Sequence, residues 1–177
     1  MLFGTETFEI EILKSIQDIF GCGFMDFLMP QITRIGNFGA VWIVIGIILV
    51  FTKKYRKSGI MMLFGLLLGL ILGNLFLKNI IARPRPCWIE YTHPLLIAIP
   101  KDFSFPSGHT LASFISTFIL WQTDKRFGYA AFTAAVIISF SRLYLFVHFP
   151  TDIIGGILLA FIIHLMVKKI FSKEKNR

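Results

Sequence analysis

The chain has 177 residues, of which 55% are hydrophobic and only 16% are charged, and its formal net charge is +8. A soluble domain has about 25% charged residues, and the helices of a soluble bundle carry polar outer faces. The composition therefore excludes an ordinary soluble domain. It predicts an all-α, polytopic membrane helix bundle that forms a single domain over residues 1–177.

The first 35 residues differ from the rest because their polarity is mixed. Thr7–Arg34 contains two glycines and a proline among alternating polar and apolar residues. This pattern is typical of an amphipathic helix that lies in the membrane interface, which is the interpretation we favour. The alternative is a sixth, poorly hydrophobic span. The membrane core is then expected over residues 36–170.

Five apolar segments follow, and each is a candidate span. The clearest contains Ser58–Leu77, which has no charged residue and would extend about 30 Å as a helix, the thickness of one hydrocarbon core. Several segments are shorter than the usual span, which tilt could accommodate. The five are Phe38–Thr52, Ser58–Lys78, Ser107–Trp121, Phe127–Tyr144 and Thr151–Val167.

Three glycines, Gly65, Gly69 and Gly73, recur every four residues in the second segment. Small residues at this spacing allow two helices to approach closely. We expect them to pack against another helix of the same chain, with a dimer contact as the alternative. The oligomeric state is open between a monomer and a weak dimer.

The charges between the segments predict the orientation in the membrane. Eleven basic residues lie on one face with only Asp124 and Glu174 opposing them, whereas the other face has seven basic and eight acidic residues. The positive-inside rule places the eleven, and the C-terminus, in the cytoplasm. This asymmetry and attraction to anionic lipid explain the net charge, so no nucleic-acid partner is expected. The eleven are Lys53, Lys54, Arg56, Lys57, Lys125, Arg126, Lys168, Lys169, Lys173, Lys175 and Arg177.

Three polar stretches stand at the ends of apolar segments that reach the opposite, extracytoplasmic face. Ionisable groups close to a bilayer are costly and indicate a functional site. Because the topology gathers all three stretches at one surface, we expect them to form one site. They are Lys78-x6-Arg85-Pro86, Pro106-Ser107-Gly108-His109 and Ser141-Arg142-x5-His148-x3-Asp152.

The residue types in these stretches suit the binding of a phosphate. Lys78 offers a point charge and Arg85 a planar fork. Ser107 and Gly108 mark a helix start, where free backbone N–H groups attract anions and glycine permits a close approach. Asp152 follows His148 by four residues, so its carboxylate can accept a ring proton and raise the basicity of the other nitrogen.

The three stretches together resemble the signature of the type-2 phosphatidic-acid phosphatase superfamily. That family has a lysine six residues before Arg-Pro, then Pro-Ser-Gly-His, then Ser-Arg, five residues, histidine, three residues and aspartate. This chain matches every position. The spacing selects Arg85, not Arg83, as the arginine of the first stretch.

The resemblance implies a mechanism of phosphoryl transfer. His148 would attack phosphorus and form a phosphohistidine, Asp152 would orient His148, and His109 would protonate the leaving oxygen and then activate water. The phosphate would be bound by Lys78, Arg85, Ser107, Gly108 and Arg142. With three cations in this role and no further carboxylate cluster, we expect metal-independent activity with no cofactor.

The substrate is expected to be a lipid phosphate or diphosphate at the outer face of a bacterial cell membrane. The short chain resembles enzymes that act on undecaprenyl diphosphate, which is the substrate we favour. Phosphatidylglycerol phosphate, phosphatidate, diacylglycerol diphosphate and a lipid A phosphate remain open, as does transfer to an acceptor other than water. The haloperoxidases of the superfamily are soluble and longer, and the predicted spans argue against that activity. A non-catalytic lipid-binding relative would be expected to lack a histidine or a cation of the site, whereas none is missing here.

Overall fold

The structure, a computed structural model, describes residues 4–173, and these fold as helices with no strand among them. A 3₁₀ turn, Asn37–Gly39, joins α2 to α3, and a π-helical segment, Leu70–Leu77, joins α4 to α5. The expected all-α class is therefore confirmed. The helices are α1 (Glu6–Phe20), α2 (Gly23–Ile35), α3 (Ala40–Phe51), α4 (Arg56–Gly69), α5 (Lys78–Ile81), α6 (Pro86–Ile89), α7 (Gly108–Thr123), α8 (Lys125–Tyr144) and α9 (Pro150–Lys173).

Helix α7 forms the centre of the bundle and packs against α4, α8 and α9. The glycine row of the second apolar segment faces it. A Cβ at Gly69 would lie 2.7 Å from Ile115 Cδ1, and one at Gly73 would lie 2.3 Å from Leu111 Cδ2. The glycines thus permit the close helix packing within one chain that the four-residue spacing predicts.

Three helical runs are long and apolar enough to cross a membrane: Arg56–Ile89, Lys125–Tyr144 and Pro150–Ser172. Helices α2 and α3 meet the same requirement only as a pair, bent by 42°. Helix α7 has 16 residues, about 24 Å, and most of its side chains are buried by its neighbours. The chain is a membrane protein, and the count of five or six spans remains a prediction.

The N-terminal segment differs from the single amphipathic helix that we expected. It forms two helices, which separate at Gly21 and Cys22. The first packs Ile10 and Leu13 into a cluster with Phe149, next to the third polar stretch. The second continues into α3, so a boundary after residue 35 falls inside this bent pair.

Two residues with positive φ, Phe38 and Gly39, form the bend between α2 and α3. Gly39 adopts a φ of +67°, which favours glycine. At Gly36 a Cβ would lie 2.8 Å from the ring of His109. The bend therefore brings the α2–α3 junction against a residue of the second polar stretch. At the other end of the chain, Glu174, Lys175 and Arg177, which we assigned to the cytoplasmic face, lie outside the described residues.

Candidate active site

The three polar stretches meet around one cavity of about 1190 Å³. Each stretch lies at the end of a helix: α5 begins at Lys78, α7 begins at Gly108, and the last turn of α8 carries Arg142. Six of the eight predicted site residues line the cavity, and Ser107 and Asp152 lie behind them. The six are Lys78, Arg85, Gly108, His109, Arg142 and His148.

His148 stands between a carboxylate and a guanidinium, in the connection between α8 and α9. Its Nδ1 lies 3.3 Å from Asp152 Oδ2, and its Nε2 lies 3.1 Å from Arg85 Nη1. Because the neighbour of Nδ1 is an acceptor and that of Nε2 is a donor, the proton belongs on Nδ1 and the lone pair on Nε2. Nε2 therefore carries the lone pair that an attack on phosphorus would use, and Arg85 donates to it in this structure.

Burial lowers the pKa of His148 well below its ordinary value, and the charges of Arg85 and Arg142 lower it further. The imidazole is consequently neutral near pH 7. A neutral imidazole keeps the lone pair that an attack on phosphorus requires.

Asp152 is fully buried and is held by several donors besides His148. The Phe149 N–H donates to its Oδ2 at 2.8 Å, and the Ser104 hydroxyl donates to the same oxygen. The other oxygen, Oδ1, lies 2.7 Å from Arg83 Nη1. These bonds fix the direction of the carboxylate towards His148.

Two of the predicted phosphate-binding cations are already bonded to one carboxylate, that of Asp102. Lys78 Nζ lies 2.6 Å from its Oδ2, and Arg85 Nη2 lies 2.8 Å from its Oδ1. Burial by itself would raise the pKa of Asp102, but the hydrogen bond from Lys78 and the charges of Arg85 and Lys78 outweigh it and hold the pKa well below its ordinary value. Asp102 is thus an anion at neutral pH.

Arg142 retains a buried donor that nothing in the described part of the chain satisfies. Its Nη1 donates to Thr33 Oγ1, while its Nε is buried without a hydrogen-bond partner. An unpaired buried donor costs free energy that a bound acceptor would recover. Since Arg142 lines the cavity, an anion there could supply that acceptor.

Two neighbouring residues at the start of α7, Ser107 and Gly108, have different roles. Ser107 is fully buried and caps the helix, because its Oγ accepts a hydrogen bond from the Thr110 N–H at 3.5 Å. Its expected contact with phosphate stays a prediction, since it does not line the cavity. Gly108 does line it, and a Cβ there would lie 2.7 Å from Asn74 Oδ1.

His109 projects towards the α2–α3 junction. Its Nε2 lies 3.0 Å from Asn37 Oδ1 and 3.2 Å from the Thr33 carbonyl oxygen. Both neighbours are acceptors once the amide oxygen of Asn37 faces the ring, so Nε2 carries a proton. The remaining nitrogen, Nδ1, is then the one available for proton exchange with a substrate.

Sequence spacing did not reveal several residues of this site. Those that touch predicted site residues are Thr33, Asn37, Arg83, Asp102 and Ser104, and Glu9 touches Arg83. Only Arg83 carried a signal, because it stands two residues before the arginine of the motif. Within residues 4–173, no group of three His, Cys, Asp or Glu side chains could hold a metal ion, and metal independence remains a prediction.

Comparison with known proteins agrees with this geometry. The family model of the PAP2 superfamily matches residues 58–176, which contain all three polar stretches. An undecaprenyl-diphosphatase from Sulfolobus acidocaldarius is 31% identical over 161 residues, covering 89% of this chain and 73% of that protein.

Two further proteins are similar over most of the chain. Phosphatidylglycerophosphatase B from Bacillus subtilis is 32% identical over 165 residues, covering 84% of this chain and 76% of that protein. The crystal structure of a transmembrane PAP2 type phosphatidylglycerolphosphate phosphatase from Bacillus subtilis superposes with a TM-score of 0.77 at 28% identity, covering 97% of this chain and 88% of that one. The chain therefore belongs to the PAP2 superfamily and is a lipid phosphatase of the PAP2 type.

Proposed function

We propose that the chain hydrolyses the diphosphate of a long-chain lipid, with undecaprenyl diphosphate as the preferred substrate, at the extracytoplasmic face of the cell membrane. The observation that carries the proposal is the form of the cavity. One end holds the cations and both histidines of the site, and the other end is apolar. The apolar lining includes Ile43 of α3, Leu63, Leu66 and Leu67 of α4, Leu70 of the π-helical segment and Ile115 of α7, and residues of the α6–α7 connection add to it.

A cavity with one polar and one apolar end suits a lipid phosphate. The headgroup would bind between Lys78, Arg85 and Arg142, whose charges favour an anion. The tail would lie along α4, where burial of apolar surface contributes about 25 cal/mol per Å². A free phosphate ester would leave the apolar end without a partner.

A diphosphate also needs polar groups for its second phosphate. Polar side chains outside the cation cluster also line this cavity, among them Arg34, Asn37 and Asn74. The Oδ1 of Asn74 is buried without a partner among the described residues, so this side chain is free to meet a polar ligand. Arg34→Gln is expected to raise KM for a diphosphate lipid more than for a monophosphate lipid.

The proposed reaction has two steps, each with a defined proton. His148 Nε2 attacks phosphorus, the N–P bond forms as the P–O bond to the leaving group breaks, and His109 gives that oxygen a proton. His109 then takes a proton from water, whose oxygen attacks phosphorus and breaks the N–P bond. The products are the lipid monophosphate, released in the first step, and inorganic phosphate, released in the second, and His148 is regenerated.

The cation cluster would stabilise the charge on the transferred phosphoryl group. Phosphoryl transfer depends mainly on positioning and electrostatic stabilisation. Arg85 lies beside the attacking nitrogen, since its Nη1 is 3.1 Å from His148 Nε2. A phosphate oxygen bound by Arg85 would therefore bring phosphorus close to the nucleophile.

Phosphatidylglycerol phosphate is the second candidate substrate. The 32% identity to phosphatidylglycerophosphatase B is as high as the 31% identity to the undecaprenyl-diphosphatase. We would measure phosphate release by the detergent-purified protein from undecaprenyl diphosphate, phosphatidylglycerol phosphate, phosphatidate, diacylglycerol diphosphate and lipid A, with EDTA present. The highest kcat/KM is expected for undecaprenyl diphosphate. A higher value for phosphatidylglycerol phosphate would reverse the order of the two candidates.

A further inference from the structure

A line of buried charges joins the N-terminal helix to the proposed nucleophile. Glu9 Oε2 lies 2.6 Å from Arg83 Nη2, and Arg83 Nη1 lies 2.7 Å from Asp152 Oδ1. Asp152 Oδ2 in turn lies 3.3 Å from His148 Nδ1. The exposed fractions of Glu9, Arg83 and Asp152 are 3%, 0% and 0%.

Stability alone is a weak reason for such an arrangement. Replacing a buried ion pair with apolar side chains is often neutral or stabilising, because both charges must lose their hydration. Yet here three charged side chains are buried in series against a histidine. Glu9 lies outside residues 58–176, which the family model matches, so no motif assigns it a role.

Glu9 holds the neighbourhood of Asp152 by more than one contact. Its Oε1 accepts hydrogen bonds from the Thr151 N–H at 2.9 Å and from the Thr151 hydroxyl at 2.8 Å. Thr151 directly precedes Asp152 in the first turn of α9. Arg83 is also fixed over the Phe149 ring, with 4.0 Å between its Cζ and the ring centroid.

The order of the charges has an electrostatic consequence. The positive charge of Arg83 on its own would offset the negative charge of Asp152. It would thereby weaken the electrostatic attraction between this carboxylate and the protonated Nδ1 of His148. Glu9 binds the other side of the same guanidinium and offsets its charge. With both carboxylates present, the series Glu9–Arg83–Asp152 retains one net negative charge, next to His148.

We propose that Glu9 is a positioning residue for phosphoryl transfer, which holds Arg83 and Thr151 so that Asp152 keeps its direction towards His148, and which offsets the charge of Arg83 at that histidine. The inference rests on the proposed function, since it assumes that His148 is the nucleophile. It makes the N-terminal helix α1 a component of the site, although none of the three polar stretches lies in it.

The remaining charged groups near His148 belong to the phosphate side of the site. Those that lower the pKa of His148 are Lys78, Arg85, Arg142 and His109, and the Asp102 carboxylate is bonded to Lys78 and Arg85. Changes at Glu9 and Arg83 alter only the Asp152 side, so their effects on His148 can be compared with each other. Removal of the negative charge of Glu9 should lower the basicity of His148, and removal of the positive charge of Arg83 should raise it.

The test compares Glu9→Gln, Arg83→Gln and the double variant, using the full-length protein in detergent with undecaprenyl diphosphate. For Glu9→Gln we expect kcat to fall about tenfold, the order seen when a group that orients a functional ligand is lost, while KM stays constant. The acidic limb of the kcat/KM profile should move to lower pH by about one unit, as expected for the loss of one nearby charge.

Arg83→Gln should move the same limb to higher pH, and the double variant should return towards the wild-type position. Glu9→Asp, which keeps the charge, should restore the limb. Glu11→Gln is the matched control, because Glu11 is an exposed glutamate of α1 whose side chain bonds to nearby Lys14 among the described residues. If Glu9→Gln does not fold, the comparison of Arg83→Gln with the double variant carries the same test, because these two proteins differ only at Glu9.

Shifts of the same sign in both single variants, or an unmoved limb, would overturn the inference and leave Glu9 a structural residue. His148→Ala separates this outcome from failure of the proposed function. If His148→Ala is inactive while the limb does not move, only the role of Glu9 fails. If His148→Ala retains turnover, the assumed nucleophile is wrong.

Discussion

Lys78 Nζ lies 2.6 Å from Asp102 Oδ2, so a carboxylate of the α6–α7 connection holds a cation that we assign to the substrate phosphate. The same carboxylate binds Arg85, with 2.8 Å between Nη2 and Oδ1. The Asp102 side chain is 57% exposed, whereas both cations are buried. If Lys78 and Arg85 bind the substrate phosphate as proposed, the substrate must displace Asp102 or share its partners.

Asp102→Asn is expected to strengthen the binding of small phosphate-like anions. The variant loses two charge-assisted hydrogen bonds, so an anion that binds Lys78 and Arg85 has weaker existing interactions to displace. We expect the inhibition constant of orthovanadate to fall about tenfold, equivalent to about 1.4 kcal/mol. Asp18→Asn, at an exposed position of α1, should leave the constant unchanged. Weaker inhibition of Asp102→Asn would show that Asp102 organises the cations instead of competing for them.

The pH dependence of this effect follows from the pKa of Asp102. Because its pKa is held well below the ordinary value, its interaction with the cations persists above the ordinary carboxyl pKa and is lost only as the pH falls through the lowered one. The ratio of the inhibition constants of wild type and Asp102→Asn should therefore be constant between about pH 5 and 8. A ratio that falls towards one near pH 5 would contradict a lowered pKa.

The two histidines should give opposite results in a trapping experiment. Substrate labelled in the transferred phosphate and quenched in alkali should leave label on the wild-type protein, since a phosphohistidine is stable in base and labile in acid. His148→Ala should carry no label and show only background turnover. His109→Ala should retain label for longer, because the water that attacks the N–P bond lacks its base. Label on His148→Ala would identify another nucleophile.

Gly108→Ala tests the packing at the start of α7. The added Cβ would lie 2.7 Å from Asn74 Oδ1 and 3.2 Å from its Nδ2, so the amide must move into the space around the cavity. We expect kcat/KM to fall about tenfold with little change in melting temperature, and Asn74→Ala in the same chain to recover part of the loss. Gly23→Ala is the control, because no atom lies within 4 Å of a Cβ there. Equal losses in both variants would exclude a specific contact with Asn74.

The motifs of this chain predicted which residues meet, but not how they are held. Lys78, Arg85, Gly108, His109, Arg142 and His148 line one cavity because their stretches end on the same side of the bundle. Fixed spacing identifies such residues, since each stretch is short.

The supporting residues lie far away in sequence and have no such spacing. Glu9 and Arg83 are 74 positions apart, and Thr33 and Arg142 are 109 apart. Only packing of α1 and α2 against the helix ends brings them into contact. The mixed polarity of the N-terminal segment predicted one interfacial helix, with a sixth span as the alternative. The structure has two helices there, and part of their polarity is buried at the site.

The orientation in the membrane can be tested with single cysteines. Cys87 is buried and would be a poor probe, whereas Cys22 is exposed and would be replaced by serine. Tyr91, 85% exposed in the connection before α7, lies on the face that carries the site, and Lys125 begins α8 at the opposite end. A membrane-impermeant maleimide should label Tyr91→Cys in intact cells, and should label Lys125→Cys only after the membrane is permeabilised. The reverse pattern would place the site in the cytoplasm and contradict the orientation drawn from the basic residues.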